Sequence, residues 1–127
     1  MEYRALNASL RLMLELFALV VYGVWGWRQV EGWPAYLLAG AVPLAAAGLW
    51  GVFAVPEDPS RSGRAPVPVP GWLRLILELT LFALAGAALI NLGAPLTGTI
   101  FSLLVIVHYG LAWERIRWLF SIGSQED

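Results

Sequence analysis

Four apolar runs, each of about twenty residues, are the feature that most constrains what this chain can fold into. They cover residues 6–27, 34–55, 72–92 and 95–113. A helix of about 20 apolar residues crosses the ~30 Å hydrocarbon core of a bilayer. Inside that core only helices and closed barrels satisfy every backbone hydrogen bond. The sequence therefore predicts an all-α integral membrane protein, a bundle of four transmembrane helices.

Composition supports this prediction and narrows the function. The chain has 127 residues, of which 59% are hydrophobic and 13% are charged, whereas about a quarter of the residues of a soluble domain carry charge. The four runs take up most of the chain, so we expect a single transmembrane domain over residues 1–127. The chain has no cysteine, which excludes thiol catalysis and thiolate metal sites. No phosphate-binding glycine loop or hydrolase motif is present. We therefore expect no enzyme activity, no metal and no cofactor.

A seven-residue phrase occurs twice, as Leu-Arg-Leu-Met-Leu-Glu-Leu at residues 10–16 and Leu-Arg-Leu-Ile-Leu-Glu-Leu at residues 73–79. The same offset along the chain superimposes Gly23 on Gly86 and Trp50 on Trp113. The first and third helices of a four-span bundle point the same way, so the phrase predicts a parallel two-helix pseudo-repeat. Repeat 1 would cover about 6–55 and repeat 2 about 72–119, with a Pro-rich cytoplasmic loop at 56–71.

The distribution of arginine predicts the orientation in the membrane. With four consecutive spans, seven of the eight arginines lie on one side: Arg4, Arg11, Arg61, Arg64, Arg74, Arg115 and Arg117. Arg28 lies on the other side. The positive-inside rule places the arginine-rich side in the cytoplasm. Both termini and the Pro-rich loop are therefore expected there.

Proline and glycine mark the expected ends of the helices. Pro34 and Pro95 suit the first turn of a helix, and Gly93 can close the helix before it. Pro43 falls inside the second run and predicts a bend there. Small residues predict close helix contacts at three places: Gly23 and Gly26; Ala41, Ala45 and Gly48; Ala83, Gly86 and Ala87.

The repeated phrase also places charge inside the bilayer, where ions are costly. In each copy the arginine precedes the glutamate by four residues, so both side chains share one helix face. The fourth run brings a histidine and a tyrosine to a comparable depth. The sequence predicts a polar cluster in the cytoplasmic half of the membrane, formed by Arg11, Glu15, Arg74, Glu78, His108, Tyr109 and Glu114.

This cluster has more than one interpretation. In the structural interpretation the ions only clamp helices one and three, crosswise as Arg11 to Glu78 and Arg74 to Glu15. In the functional interpretation Glu15 or Glu78 titrates or binds a cation during transport, because ionisable residues inside membranes are functional candidates. Binding of a lipid headgroup or a cofactor is a third interpretation. For His108 alone, an interior histidine satisfied by a carboxylate or carbonyl is the simplest reading.

Three further features of the sequence accompany the two Leu-Arg-Leu-x-Leu-Glu-Leu phrases: the Tyr-Gly-Val-Trp-Gly segment at residues 22–26, Trp50-Gly51, and the following Pro56. With these motifs the chain resembles the YrdB family of small bacterial four-helix membrane proteins. The resemblance implies a multi-pass protein of the bacterial inner (cytoplasmic) membrane. It implies no active site.

Two classes of function remain open from the sequence. The first is a small carrier of an ion or small molecule, proton-coupled through Glu15 and Glu78 and working as a homodimer, because four helices enclose little volume. The second is a structural or interaction protein whose Pro-rich loop or acidic tail docks a partner. The expected partners are the lipid bilayer and further copies of the chain. The segments outside the membrane contain no patch of basic and aromatic residues, so we do not expect nucleic-acid binding.

Overall fold

The computed structural model describes residues 2–56, 58 and 65–125, with side chains described over residues 5–56, 58 and 65–121. Five helices fill most of this part of the chain. They are α1 (Glu2–Trp27), α2 (Pro34–Val52), α3 (Gly71–Asn91), α4 (Pro95–Leu111) and α5 (Trp113–Gln125). Two short strands, β1 (Phe53–Ala54) and β2 (Val67–Pro68), pair in parallel. The all-helical prediction is confirmed, apart from this one two-residue pairing.

Three helices are each long and apolar enough to cross a membrane: α1 from Ala5 onward, α2 and α3. A fourth span is obtained only if α4 and α5 together count as one, and these two helices are bent by 67° relative to each other. The sequence predicted one unbroken run to Trp113. Instead α4 ends at Leu111, and the bend turns Arg115 back toward α3.

The turns between α1 and α2 and between α3 and α4 are tight, in agreement with the predicted helix starts at Pro34 and Pro95 and helix end at Gly93. Gly32 and Gly93 both have a positive φ, 82° and 86°, a conformation that costs glycine little. After α3, Ala94 N–H donates to Leu89 at 2.9 Å and Gly93 N–H donates to Ile90 at 3.0 Å. This pair of bonds is a Schellman cap, which satisfies carbonyls that the helix end leaves free.

Glycine allows two pairs of helices to approach closely. A Cβ built on Gly26 would lie 2.5 Å from the Leu38 carbonyl of α2, and one on Gly23 would lie 3.3 Å from the Ala39 carbonyl. A Cβ on Gly86 of α3 would lie 2.8 Å from the Ser102 hydroxyl of α4. The glycine positions therefore agree with the predicted contacts.

The other predicted small-residue positions are not buried by the part of the chain that the structure describes. Ala41, Ala45 and Gly48 on α2, and Ala83 and Ala87 on α3, are all exposed. The bend predicted at Pro43 stays a prediction.

The core is built around α3, whose Phe82 is buried among aromatic rings. Trp50 of α2, Phe101 of α4 and Tyr109 of α4 lie at 4.8, 6.0 and 6.1 Å from Phe82 between ring centroids. Edge and tilted arrangements at these distances are favourable for aromatic pairs. This aromatic cluster ties α2, α3 and α4 together.

The end of the bundle where α2 finishes and α3 begins is called the loop end below. Here Val69 N–H donates to the Ala54 carbonyl at 2.9 Å, extending the β1–β2 pairing. Gly71, the first residue of α3, lies against the backbone of Leu119 in α5. The two ends of the connecting loop therefore lie side by side, and the start of α3 contacts α5. Arg61, Arg64 and the acidic tail at 126–127 lie outside the described residues, as does the side chain of Arg4.

The two halves place equivalent residues in different surroundings. Trp50 is buried and Trp113 is exposed; Glu78 is fully buried, whereas the Glu15 side chain is 26% exposed. The two-helix pseudo-repeat predicted from the sequence therefore stays a prediction. A larger share of the membrane-length segment is buried in α3 than in α1, 44% against 28%.

Candidate functional site

Glu78, two turns into α3, is the centre of a buried polar network at the loop end. Its carboxylate accepts five hydrogen bonds from four side chains: Arg11 at 3.1 Å, Arg74 at 2.6 Å, Tyr109 at 2.7 Å, and Arg115 at 2.9 and 2.7 Å. The residue is fully buried. Helices α1, α3, α4 and α5 therefore all meet at one carboxylate.

Arg74 connects this centre to the end of α2. Its Nε donates to Glu78 one turn further along α3, and its Nη1 donates to the carbonyls of Trp50 and, at 2.8 Å, Phe53. The last carbonyls of a helix have no partner within it, and a cation there also complements the helix dipole. Arg74 thus closes α2 and joins it to α3.

Arg115 joins two carboxylates. Its Nε and Nη2 donate to Asp58 at 2.9 and 2.6 Å, and its Nη1 and Nη2 donate to Glu78. Paired contacts of this kind suit the planar guanidinium and fix its orientation. Asp58, 3% exposed, lies in the connecting loop, so Arg115 attaches this loop to the core of the bundle.

Arg11 forms the outer part of the network on α1. Its Nε donates to Glu15 at 2.8 Å and its Nη1 donates to Glu78. The predicted cross-helix contact from Arg11 to Glu78 is therefore present. Arg74 pairs with Glu78 in its own helix, and no ion pair joins Arg74 to Glu15 among the described side chains.

Among the residues that the structure describes, the charges of the network balance. Three arginines, Arg11, Arg74 and Arg115, face three carboxylates, Glu15, Asp58 and Glu78. Removing ions from water costs several kcal/mol each, and that cost is offset only when each ion has well-placed partners. Here each of the six ions has at least one partner of opposite charge within 3.1 Å.

His108 lies beside the network and does not bond to Glu78. Its Nδ1 is 2.8 Å from the Asn7 side-chain oxygen of α1, and its ring packs against Tyr109 at 4.9 Å. Its Nε2 is buried and has no hydrogen-bond partner among the described residues. The described residues contain no group of three or more acidic or histidine side chains arranged for a metal ion.

Five of the seven residues predicted from the sequence meet in the network: Arg11, Glu15, Arg74, Glu78 and Tyr109. His108 lies next to it, and Glu114 is exposed at the start of α5. Two members, Asp58 and Arg115, were not among the predicted site residues. The sequence did indicate Arg115 as a possible member of the site, because it follows His108 by seven residues and so shares its helix face. Asp58 lies in a loop, where no periodic pattern could have indicated it.

The fold and the site together define a class, a small helical bundle with three to four candidate membrane spans and an ionic network buried at one end. The family described as "Protein of unknown function (DUF2568)" matches residues 9–106, a range that contains Arg11, Glu15, Asp58, Arg74 and Glu78. The chain is also 43% identical over 115 residues to the "Uncharacterized protein YrdB" of Bacillus subtilis (strain 168), covering 91% of this chain and 94% of that protein. The chain belongs to this DUF2568 family, and the resemblance to YrdB is confirmed. No solved structure matches.

Proposed function

We propose that the protein is a structural or interaction protein of the bacterial inner membrane, in which the ionic network clamps the helices at the loop end. The observation that supports this best is the saturation of Glu78. It is fully buried and accepts hydrogen bonds from three arginines and Tyr109. A carboxylate that couples transport must exchange its partners for a proton or a substrate. Glu78 would have to release four side chains to do so.

The clamp has a second consequence, because it also positions the loop. The β1–β2 pairing holds the loop ends together, and Asp58 is bound by Arg115. A loop whose ends are already fixed loses less conformational entropy when a partner binds it. With four spans and both termini in the cytoplasm, as the arginine distribution favours, the partner would be a cytoplasmic protein.

A proton-coupled carrier is the second candidate, and one observation favours it. The Glu15 side chain is 26% exposed and has Arg11 as its ion-pair partner, at 2.8 Å. Of the two glutamates in the repeated phrase, Glu15 is therefore the one able to exchange a proton with its surroundings. A homodimer would enclose a larger polar volume around it.

Proton flux into proteoliposomes loaded with a pH-sensitive dye separates the two candidates. For a clamp, flux under an imposed membrane potential should equal that of protein-free vesicles. Glu15→Gln should change nothing in this assay. Flux that exceeds the blank and disappears in a folded Glu15→Gln protein would instead establish the carrier.

A charge-preserving double variant tests the clamp itself. Glu78→Gln leaves Arg74 with no carboxylate partner, whereas Glu78→Gln combined with Arg74→Gln removes one charge of each sign. Losing one partner of a buried pair costs more than losing both. Arg74 also donates to the Trp50 and Phe53 carbonyls, so the test is additivity: the stability lost by the double variant in detergent should be smaller than the sum of the losses of Glu78→Gln and Arg74→Gln. A double variant as unstable as the sum of its parts would contradict the clamp.

A further inference from the structure

Helix α5 has one face of aromatic and basic side chains that the described part of the chain leaves uncovered. Trp113, Arg117 and Phe120 recur at a helical spacing of four and three residues, so they share a face. Trp113 is 59% exposed, Phe120 is 55% exposed, and Arg117 is exposed as well. Leu119 and Arg115 occupy the opposite face and are buried.

Two contacts fix the depth of α5. Leu119 lies against Gly71 so closely that no Cβ would fit on Gly71 without displacing the Leu119 carbonyl. Gly71 is the first residue of α3, a candidate membrane span, so Leu119 lies at the level where that span begins. Arg115 reaches Glu78, about two turns further into α3.

The direction of α5 follows from the bend after α4. A helix that continued α4 would run on along the bundle, but α5 departs from that direction by 67°. It therefore runs across the end of the bundle rather than out into water. Trp72, next to Gly71 and 48% exposed, lies at the start of the α3 span, at the level of Leu119.

We propose that α5 lies in the headgroup layer of the membrane, and that its face of Trp113, Arg117 and Phe120 binds anionic phospholipids. Tryptophan concentrates at the membrane–water interface, and amphipathic helices with basic and aromatic residues lie in the interfacial plane. A guanidinium binds phosphate through paired hydrogen bonds. The proposal rests on the membrane location of the chain. It uses the position of Arg115 but does not require that the ionic network have a structural function.

Charge favours lipid over a second copy of the chain as the occupant of this face. Along this face of α5, Arg117 lies between Trp113 and Phe120. A twofold contact uses the same surface patch on both copies, so the two Arg117 side chains would be brought near each other. Anionic headgroups supply the opposite charge.

The depth of α5 can be measured directly, because the chain contains no cysteine and a single one can be labelled without background. In the Phe120→Cys variant, the new cysteine is labelled with an environment-sensitive fluorophore. The matched control is Leu103→Cys, labelled in the same way, because Leu103 is exposed midway along α4. In nanodiscs, lipids with a doxyl quencher near the headgroup should quench the label at position 120 more than lipids quenched near the chain end. The label at position 103 should show the reverse order.

The preference for anionic lipid is measured with the same fluorophore at position 120. Doxyl-labelled phosphatidylglycerol should quench position 120 more strongly than doxyl-labelled phosphatidylcholine at equal content. Arg117→Gln should lower this preference about fivefold, the factor expected for one basic residue near an anionic surface. Arg28→Gln removes the same charge at the opposite end of the bundle and should leave the preference unchanged.

Three results would overturn the proposal. A label at position 120 that is quenched by aqueous iodide and not by lipid would place α5 in water. Equal quenching by the two doxyl lipids would remove the anionic preference. Efficient disulfide formation between two Phe120→Cys chains would show that a second copy covers this face.

Discussion

Arg115 on α5 contacts both carboxylate oxygens of Glu78 on α3, with hydrogen bonds of 2.9 and 2.7 Å. The same guanidinium contacts both oxygens of Asp58 in the connecting loop. Loop, α5 and the centre of the bundle therefore share one side chain. Any change that moves α5 must also disturb Glu78, on which α1 and α4 depend through Arg11 and Tyr109.

We expect the two glutamates of the repeated phrase to differ sharply in their effect on stability. Glu78→Gln removes the central charge among three buried arginines and should lower the free energy of unfolding by about 3–5 kcal/mol. Glu15→Gln, at a partly exposed site with one ion pair, should cost less than about 1 kcal/mol. Unfolding by denaturant in a mild detergent measures both. Similar losses for the two variants would contradict the central position of Glu78.

Asp58→Asn should loosen the loop while the bundle stays folded. Arg115 would keep Glu78 but lose its charged partner in the loop, so the β1–β2 pairing would open more often. Hydrogen exchange at the Val69 amide, which donates to Ala54, should become faster, while amides in the middle of α3 keep their protection. Unchanged exchange at Val69 would show that Asp58 does not hold the loop.

How far sequence could predict this site is clearest at Arg11 and Arg74. Their spacing to Glu15 and Glu78 predicts pairs along each helix, and both pairs are present. The two phrases differ only at Met13 and Ile76 and offer no reason to prefer one glutamate, yet Glu78 pairs with all three arginines of the network. The reason is packing: more of α3 than of α1 is buried, and Glu78 is fully buried whereas the Glu15 side chain is 26% exposed.

Arg115 and Asp58 illustrate what the sequence could not predict. Hydropathy alone extended the fourth run to Trp113, and in a straight helix Arg115 would share the face of His108 but lie about two turns beyond it. The bend after Leu111 is accompanied by the contact of Leu119 with Gly71, a tertiary contact that hydropathy does not predict. Asp58 joins the network only because the loop folds back, and periodicity carries no information about a loop.

Tyr109→Phe should weaken the bundle by about 1.5–3 kcal/mol, the range for a hydrogen bond to a charged group. The variant keeps the ring that packs on Phe82 and removes the hydroxyl that donates to Glu78 at 2.7 Å. Tyr36→Phe is the matched control, because Tyr36 is exposed and should change stability little. Equal unfolding midpoints for the two variants would mean that the Tyr109 hydroxyl contributes nothing to the network.

Gly71→Ala and Gly48→Ala should change stability in opposite directions. Alanine generally stabilises a helix relative to glycine by about 0.5–1 kcal/mol, and Gly48 in α2 has no atom within 4 Å of an added Cβ. Gly48→Ala should therefore stabilise the protein. At Gly71 the added Cβ would collide with the Leu119 carbonyl, so α5 must shift and Arg115 must move away from Glu78. Gly71→Ala should then be destabilising by several kcal/mol, and it should also speed exchange at the Val69 amide, because Asp58 loses its fixed partner. If both alanines stabilise the protein equally, α5 is not held against the start of α3.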